Sequence, residues 1–164
     1  MNATGTGLDL SDLKVRVIAP ALARIGMDGA AAVNLLAGTA LVESGCRRLV
    51  QDGGGPALGL WQMEPFTHDD IWNTFLPGGR MNGVVTALLS MRGNWPPASG
   101  QMTGNAFYAC AMARLKYYRA PDPLPAASDA AGMCGLWKRI YNTSLGAGAA
   151  DPQHVALFRQ AIEA

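Results

Sequence analysis

Charged residues are scarce in this chain: Asp, Glu, Lys and Arg make up 15% of its 164 residues, against about 25% in ordinary soluble domains. Either the core is large for the length, or neighbours cover part of the surface. The two signs nearly cancel, for a formal net charge of +1, and no basic block occurs. That excludes the electrostatic footprint of a nucleic-acid binder, so no nucleic-acid specificity is expected. Histidine is limited to His68 and His154, and the three cysteines, Cys46, Cys110 and Cys134, are odd in number and far apart. Without a Cys-x-x-Cys pair there is neither a disulfide framework nor a zinc ligand set. No metal and no cofactor are expected, and single thiols suit synthesis in a reducing compartment. No apolar run reaches the ~18 residues that a membrane span needs. The opening stretch MNATGTGLDLSDLK lacks the apolar core of a secretory signal, so the expectation is synthesis in the cytoplasm, with both termini docked onto neighbours.

What the chain does have is apolar surface, at 49% hydrophobic residues. A single domain over 1–164 can then bury roughly 70% of its unfolded surface. Strand signals are few, and the pattern reads as helices joined by Gly- and Pro-rich loops. Ser11 is a candidate cap for a helix near 11–25, kinked at Pro20 and stopped by Gly26. Asp28 is a candidate cap for a second helix, in which Val33, Leu36, Ala37, Ala40 and Leu41 recur at helical spacing up to Gly45. Residues 46–60 form a Gly-rich loop, with room for a short hairpin within 46–63. Helices follow near 67–75, 82–92 and 104–119, the last with Phe107, Ala111, Leu115 and Tyr118 on one face. After the break APDPLP, Ser128 precedes a helix with Met133, Leu136, Trp137, Ile140 and Tyr141 on one stripe. LGAGAA is a loop. Asp151 and Pro152 read as cap and first residue of a final helix, with Val155, Phe158 and Ile162 facing inward.

One carboxylate stands out. Glu43 follows Leu36 by seven residues and Ala40 by three, so it shares their helix face, at its edge. Burial disfavours its charged form, and so does the negative end of the helix macrodipole. Both raise its pKa, as a general acid for glycosidic cleavage requires. The plainer alternative is a helix-end Glu in solvent, or paired with Arg47 four residues on.

The segments ALVESG and ALGLWQMEP, with 19 residues from Glu43 to Gln62, resemble the lysozyme-like superfamily, above all the lytic transglycosylases. WKRIYNTSLGAG resembles the late Tyr-Asn motif of the same family. GLWQMEPFTHDDIW and YYRAPDPLPAASDAAGMCGLWKRIYNT are similar, more narrowly, to wall-degrading proteins of tailed phages. The chain departs from the family pattern at Glu64-Pro65, where many members have Asn, and at Thr143-Ser144, in place of Ala-Gly.

The resemblance implies a mainly α, lysozyme-like α+β domain with at most a short β-hairpin near the cleft. It implies Glu43 as acid and base, Ser44 beside the substrate, and Gly59 and Leu60 giving close backbone approach to a sugar. Trp61 and Gln62 would shape the site, Tyr141 would bond to Glu43 or substrate, and Asn142 would brace it. Trp61 is equally readable as a core plug, Tyr141 as packing and Asn142 as a helix cap. Trp72, Trp95 and Trp137 read more readily as core than as sugar platforms, and His68 as a local cap beside Asp69 and Asp70.

The implied partner is the glycan strand of peptidoglycan, together with other phage virion proteins. A hydrolase of the usual type needs two carboxylates, about 5–5.5 Å apart when retaining and ~6.5–9.5 Å when inverting. A lytic transglycosylase needs one. Asp52, Glu64, Asp69 and Asp70 are available as a second, but none matches a catalytic position of the family, which favours the single-acid reading. The open alternatives are a hydrolytic muramidase or endolysin, and a non-catalytic virion protein of the same shape. The length leaves no room for a wall-binding module, so the expected location is the virion, tail or internal ejection apparatus, acting in the host periplasm during genome entry.

Overall fold

A computed structural model describes residues 7–142 and 150–164 of the chain. The fold is mainly helical, with no strand among the described residues: α1 (Leu10–Leu13), α2 (Ala19–Arg24), α3 (Ala30–Ser44), α4 (Pro65–Asp70), α5 (Asn82–Met91), α6 (Gln101–Gly104), α7 (Ala106–Tyr118), α8 (Ala130–Leu136) and α9 (Pro152–Glu163). Three π-helical turns extend these helices, at Lys14–Ile18, Ile71–Phe75 and Trp137–Tyr141. The first lies just before Pro20. Proline has no N–H to return to the preceding turn, and the wider register accommodates the missing bond.

Helix boundaries follow local chemistry, with three changes of cap. Asp9 rather than Ser11 starts α1, accepting from the Asp12 N–H at 2.9 Å. Gly29 (φ 109°) rather than the Asp28 side chain precedes α3. Asp129 rather than Ser128 starts α8, accepting from the Gly132 N–H at 2.8 Å. Asp9 and Asp129 stand just before the first helical residue, where their carboxylates reach first-turn N–H groups, whereas Ser11 lies inside α1 and Ser128 is one residue too early; Gly29 precedes α3 without a side-chain cap. The C-terminus of α3 closes as expected: Gly45 is left-handed at φ 61°, and its N–H reaches the Leu41 carbonyl at 3.0 Å.

α3 and α7 form the centre. Residues 34–40 of α3 and 108–115 of α7 are buried on all sides. The face expected for α7 is therefore corrected: Ala111 and Leu115 are buried, but Phe107 and Tyr118 are 44% and 48% exposed. A helix packed by neighbours all round has no single apolar stripe, and only its ends reach solvent. Small residues let α9 close on α3. A Cβ on Gly38 would stand 2.2 Å from Phe158 Cδ1, so Phe158 fits only against glycine. Phe158 is buried, with Val155 and Ile162 packed at its sides.

The hairpin expected within 46–63 is reduced to isolated antiparallel bridges, Val50 with Leu58 and Leu58 with Met63. Gly53, Gly54, Gly55 and Pro56 separate the arms and cannot sustain a ladder. The expected docked N-terminus, and most of LGAGAA with Thr143 and Ser144, lie outside the described residues.

Candidate active site

The αL stop at Gly45 leaves Glu43 in the last turn of α3, half-buried at the rim of the core. Its Oε1 accepts a hydrogen bond from Trp137 Nε1 at 2.8 Å. Trp137 is buried on the π turn after α8, its ring 5.1 Å from that of His154 and 6.3 Å from that of Phe158. The indole thus packs against two rings of α9, and its N–H bonds one oxygen of Glu43. Arg47 is exposed, so the plainer reading of Glu43 as a solvent or Arg47-paired residue gives way to the Trp137 bond.

Glu43 opens into a cavity of about 490 Å³, within the usual range for small-ligand sites. Gln62, Glu64, Lys116, Tyr141 and Asn142 line it, with Arg48 and Asp52 on the side of the Gly-rich loop. Burial pushes the Glu43 carboxyl above its ordinary range, against the Trp137 bond and the charges of Lys116 and His154, which pull it down. This is the direction read from its place on the helix. Lys116 Nζ donates to the Tyr141 carbonyl at 2.9 Å and stands 4.1 Å from the centroid of its ring.

The residues expected to bind substrate divide into two groups. Gln62, Tyr141 and Asn142 share the cavity with Glu43. Gln62 takes a positive φ of 46° and donates through Nε2 to the Gly59 carbonyl at 2.8 Å, which sets its side chain along the wall. Tyr141 is corrected in role: its hydroxyl donates to the Trp61 carbonyl at 2.8 Å rather than to Glu43. It ties the 59–63 turn to the end of the α8 segment.

Ser44, Gly59, Leu60 and Trp61 do not line this cavity. Ser44 is buried and donates back to the Ala40 carbonyl at 3.0 Å. Gly59 (φ 73°) does permit close approach, but to the Met102 carbonyl, which a Cβ would meet at 2.1 Å. Leu60 is buried and lines a different, apolar hollow with Leu8 and Leu49. Trp61 is the core plug: 1% exposed, with Nε1 donating to the Leu36 carbonyl at 2.9 Å.

Of the spare carboxylates, Asp52 and Glu64 line the cavity and Asp52 pairs with Arg48. Asp69 and Asp70 point elsewhere, to His68 and to Arg119. His68 is no local cap; it is buried and its Nε2 meets the Tyr108 hydroxyl at 2.7 Å. Trp72 donates to the same hydroxyl at 2.8 Å, while Trp95 is 84% exposed.

Two residues placed against Glu43 or its cavity escape a reading of the sequence. Trp137 was readable as core, which it is, but its bond joins residues 94 positions apart. Lys116 looks like an ordinary solvent-facing lysine, and only the fold turns it into the cavity. Compared with known protein families, with curated proteins and with solved structures, the chain has no match.

Proposed function

We propose that this protein is a peptidoglycan lytic transglycosylase with a lysozyme-like fold, cleaving the β-1,4 bond between N-acetylmuramic acid and N-acetylglucosamine. The observation that carries the reading is Glu43: a half-buried carboxyl, raised in pKa by burial, held at one oxygen by Trp137 and opening into a cavity. With Oε1 engaged, Oε2 is the oxygen that exchanges a proton. Glu43 gives that proton to the leaving glycosidic oxygen as the C1–O bond breaks. The resulting carboxylate takes the proton of the muramic 6-hydroxyl, whose oxygen bonds to C1. The product is an anhydro-muramic end, no water is consumed, and Glu43 returns to its starting state. Attack from within the same sugar benefits from proximity, and a single carboxyl serves both steps.

The test is Glu43→Gln on purified sacculi, followed by turbidity and by mass spectrometry of the released muropeptides. The amide keeps shape but carries no exchangeable acid proton, and acid–base catalysis contributes roughly 10²–10⁴-fold. Loss on that scale with anhydro ends in the wild type supports the reading. A folded variant that keeps more than about a tenth of the activity removes Glu43 from the mechanism.

A hydrolytic muramidase is the second reading, favoured by one observation: Asp52 and Glu64 share the cavity with Glu43. Reducing muramic ends as the main product would establish it. For location, we propose a phage particle. The low charged fraction and the exposed Leu8, Leu49, Val50 and Phe107 suit a surface partly covered by neighbours. Proteomics of gradient-purified particles tests this, and absence from particles with abundance in lysing cells points to an endolysin.

A further inference from the structure

α7 brings one charge into the cavity that the proton cycle above does not use. Lys116 is half-buried on a helix whose preceding residues, 108–115, are all buried. Desolvating an ammonium is unfavourable unless the charge is held, and burial does pull the pKa of Lys116 down. It is held by Tyr141, through the carbonyl at 2.9 Å and the ring face at 4.1 Å. Tyr141 is itself fixed, by its bond to the Trp61 carbonyl and by stacking on Tyr117 at 5.3 Å. The ammonium therefore has a defined place that three parts of the chain determine.

Its distance from the acid matters as much. Among the described residues no ion pair joins Lys116 to Glu43 or Glu64, although all three line one cavity. A contact pair would keep Glu43 ionised, with no proton to give. A fixed cation in the same cavity but out of contact favours the anion less strongly. Other groups that interact electrostatically with Glu43 are His154 from α9 and Tyr117 and Tyr141, whose hydroxyls bond to Thr39 and to the Trp61 carbonyl; Arg119 and Glu64 act on Lys116 itself.

We propose that Lys116 is a positioning residue for the reaction at Glu43: its immobilised ammonium stabilises the carboxylate that Glu43 becomes after giving up its proton, without pairing with it. This rests on Glu43 being the acid–base residue. The test uses Lys116→Met and Lys116→Gln, which remove the charge, and Lys116→Arg, which keeps it. Gln retains a donor for the Tyr141 carbonyl and serves where Met unfolds. Ionisation of Glu43 is followed through the Trp137 Nε1–H NMR resonance against pH, in a His154→Gln background that removes the imidazole beside that indole. The Met and Gln variants are expected to move the Glu43 midpoint, and the alkaline limb of the cleavage profile, to higher pH. Their maximal rate should fall on the order of tenfold, as a charge acting across a cavity can cause, and Arg should restore both. A wild type that cleaves glycan while its Glu43 midpoint is unmoved in both neutral variants overturns the proposal alone. A midpoint that shifts in a protein that cleaves nothing overturns the transglycosylase reading instead, and the role of Lys116 in it.

Discussion

Replacing Trp137 with Phe removes a single donor from Glu43 and leaves most of the aromatic packing in place. The bond is 2.8 Å long and joins an indole N–H to a carboxylate oxygen. A hydrogen bond to a charged partner contributes about 1.5–3 kcal/mol, and one to a neutral partner about 1 kcal/mol. The smaller ring also loses contacts in a site only 2% exposed, a further ~1–2 kcal/mol at any pH. The total should be about 2.5–5 kcal/mol where Glu43 is ionised and ~2–3 kcal/mol where it is protonated. The difference between those conditions carries the information. The folded pKa of Glu43 lies above its ordinary value, so its effect on stability is most favourable at low pH. That contribution falls as pH rises from the unfolded value through the folded one. Trp137 opposes this by holding the anion, so the variant should lose more stability over that window, and the loss should extend to higher pH. Urea unfolding at about pH 4 and about pH 8 measures it, and the alkaline limb of cleavage should move upward in parallel. An equal loss of stability at both pH values, with an unmoved limb, would falsify the idea that this N–H bears on the charge of Glu43.

Gly59→Ala should cost about 2–5 kcal/mol, because its Cβ would meet the Met102 carbonyl at 2.1 Å from a backbone at φ 73°; an unchanged Tm would show that the 59–63 turn is not packed there. Asp52→Asn and Glu64→Gln should each stay within about tenfold of normal cleavage and keep the anhydro product; a loss as deep as that of Glu43→Gln marks a second catalytic carboxylate. Asp151 caps α9 and is bonded by the backbone and ring of His154, which hold its carboxyl down to about 2. Its contribution to stability is complete above the ordinary carboxylate value and is lost as pH falls from there through about 2. Asp151→Asn should flatten acid unfolding over that window, and an unchanged acid transition refutes the cap's part in it.

The helical character of the chain, the stops at Gly26 and Gly45, the start at Asp151-Pro152 and the special place of Glu43 were all legible from local patterns. Each depends on chemistry within about one helical turn, such as a cap or a left-handed glycine. Period also aligned Glu43 with Leu36 and Ala40, but residues 34–40 of α3 are buried on all sides, and it is the place of Glu43 in the last turn that leaves it at the rim. The Gly-Leu-Trp-Gln stretch divides differently. Its spacing from Glu43 is visible in one dimension, but the roles within it are not: Gly59 yields to a neighbouring carbonyl, Trp61 plugs the core, and Gln62 alone of the four residues turns to the cavity. Side chains on a tight turn fan in different directions, so adjacency says little about which one meets a ligand. The pairing of Trp137 with Glu43 and the inward placement of Lys116 depend on α3, α7 and the α8 segment meeting at one point. Contacts of that kind leave no periodic trace in the sequence, because the partners' separation is set by how helices cross and not by any local rule.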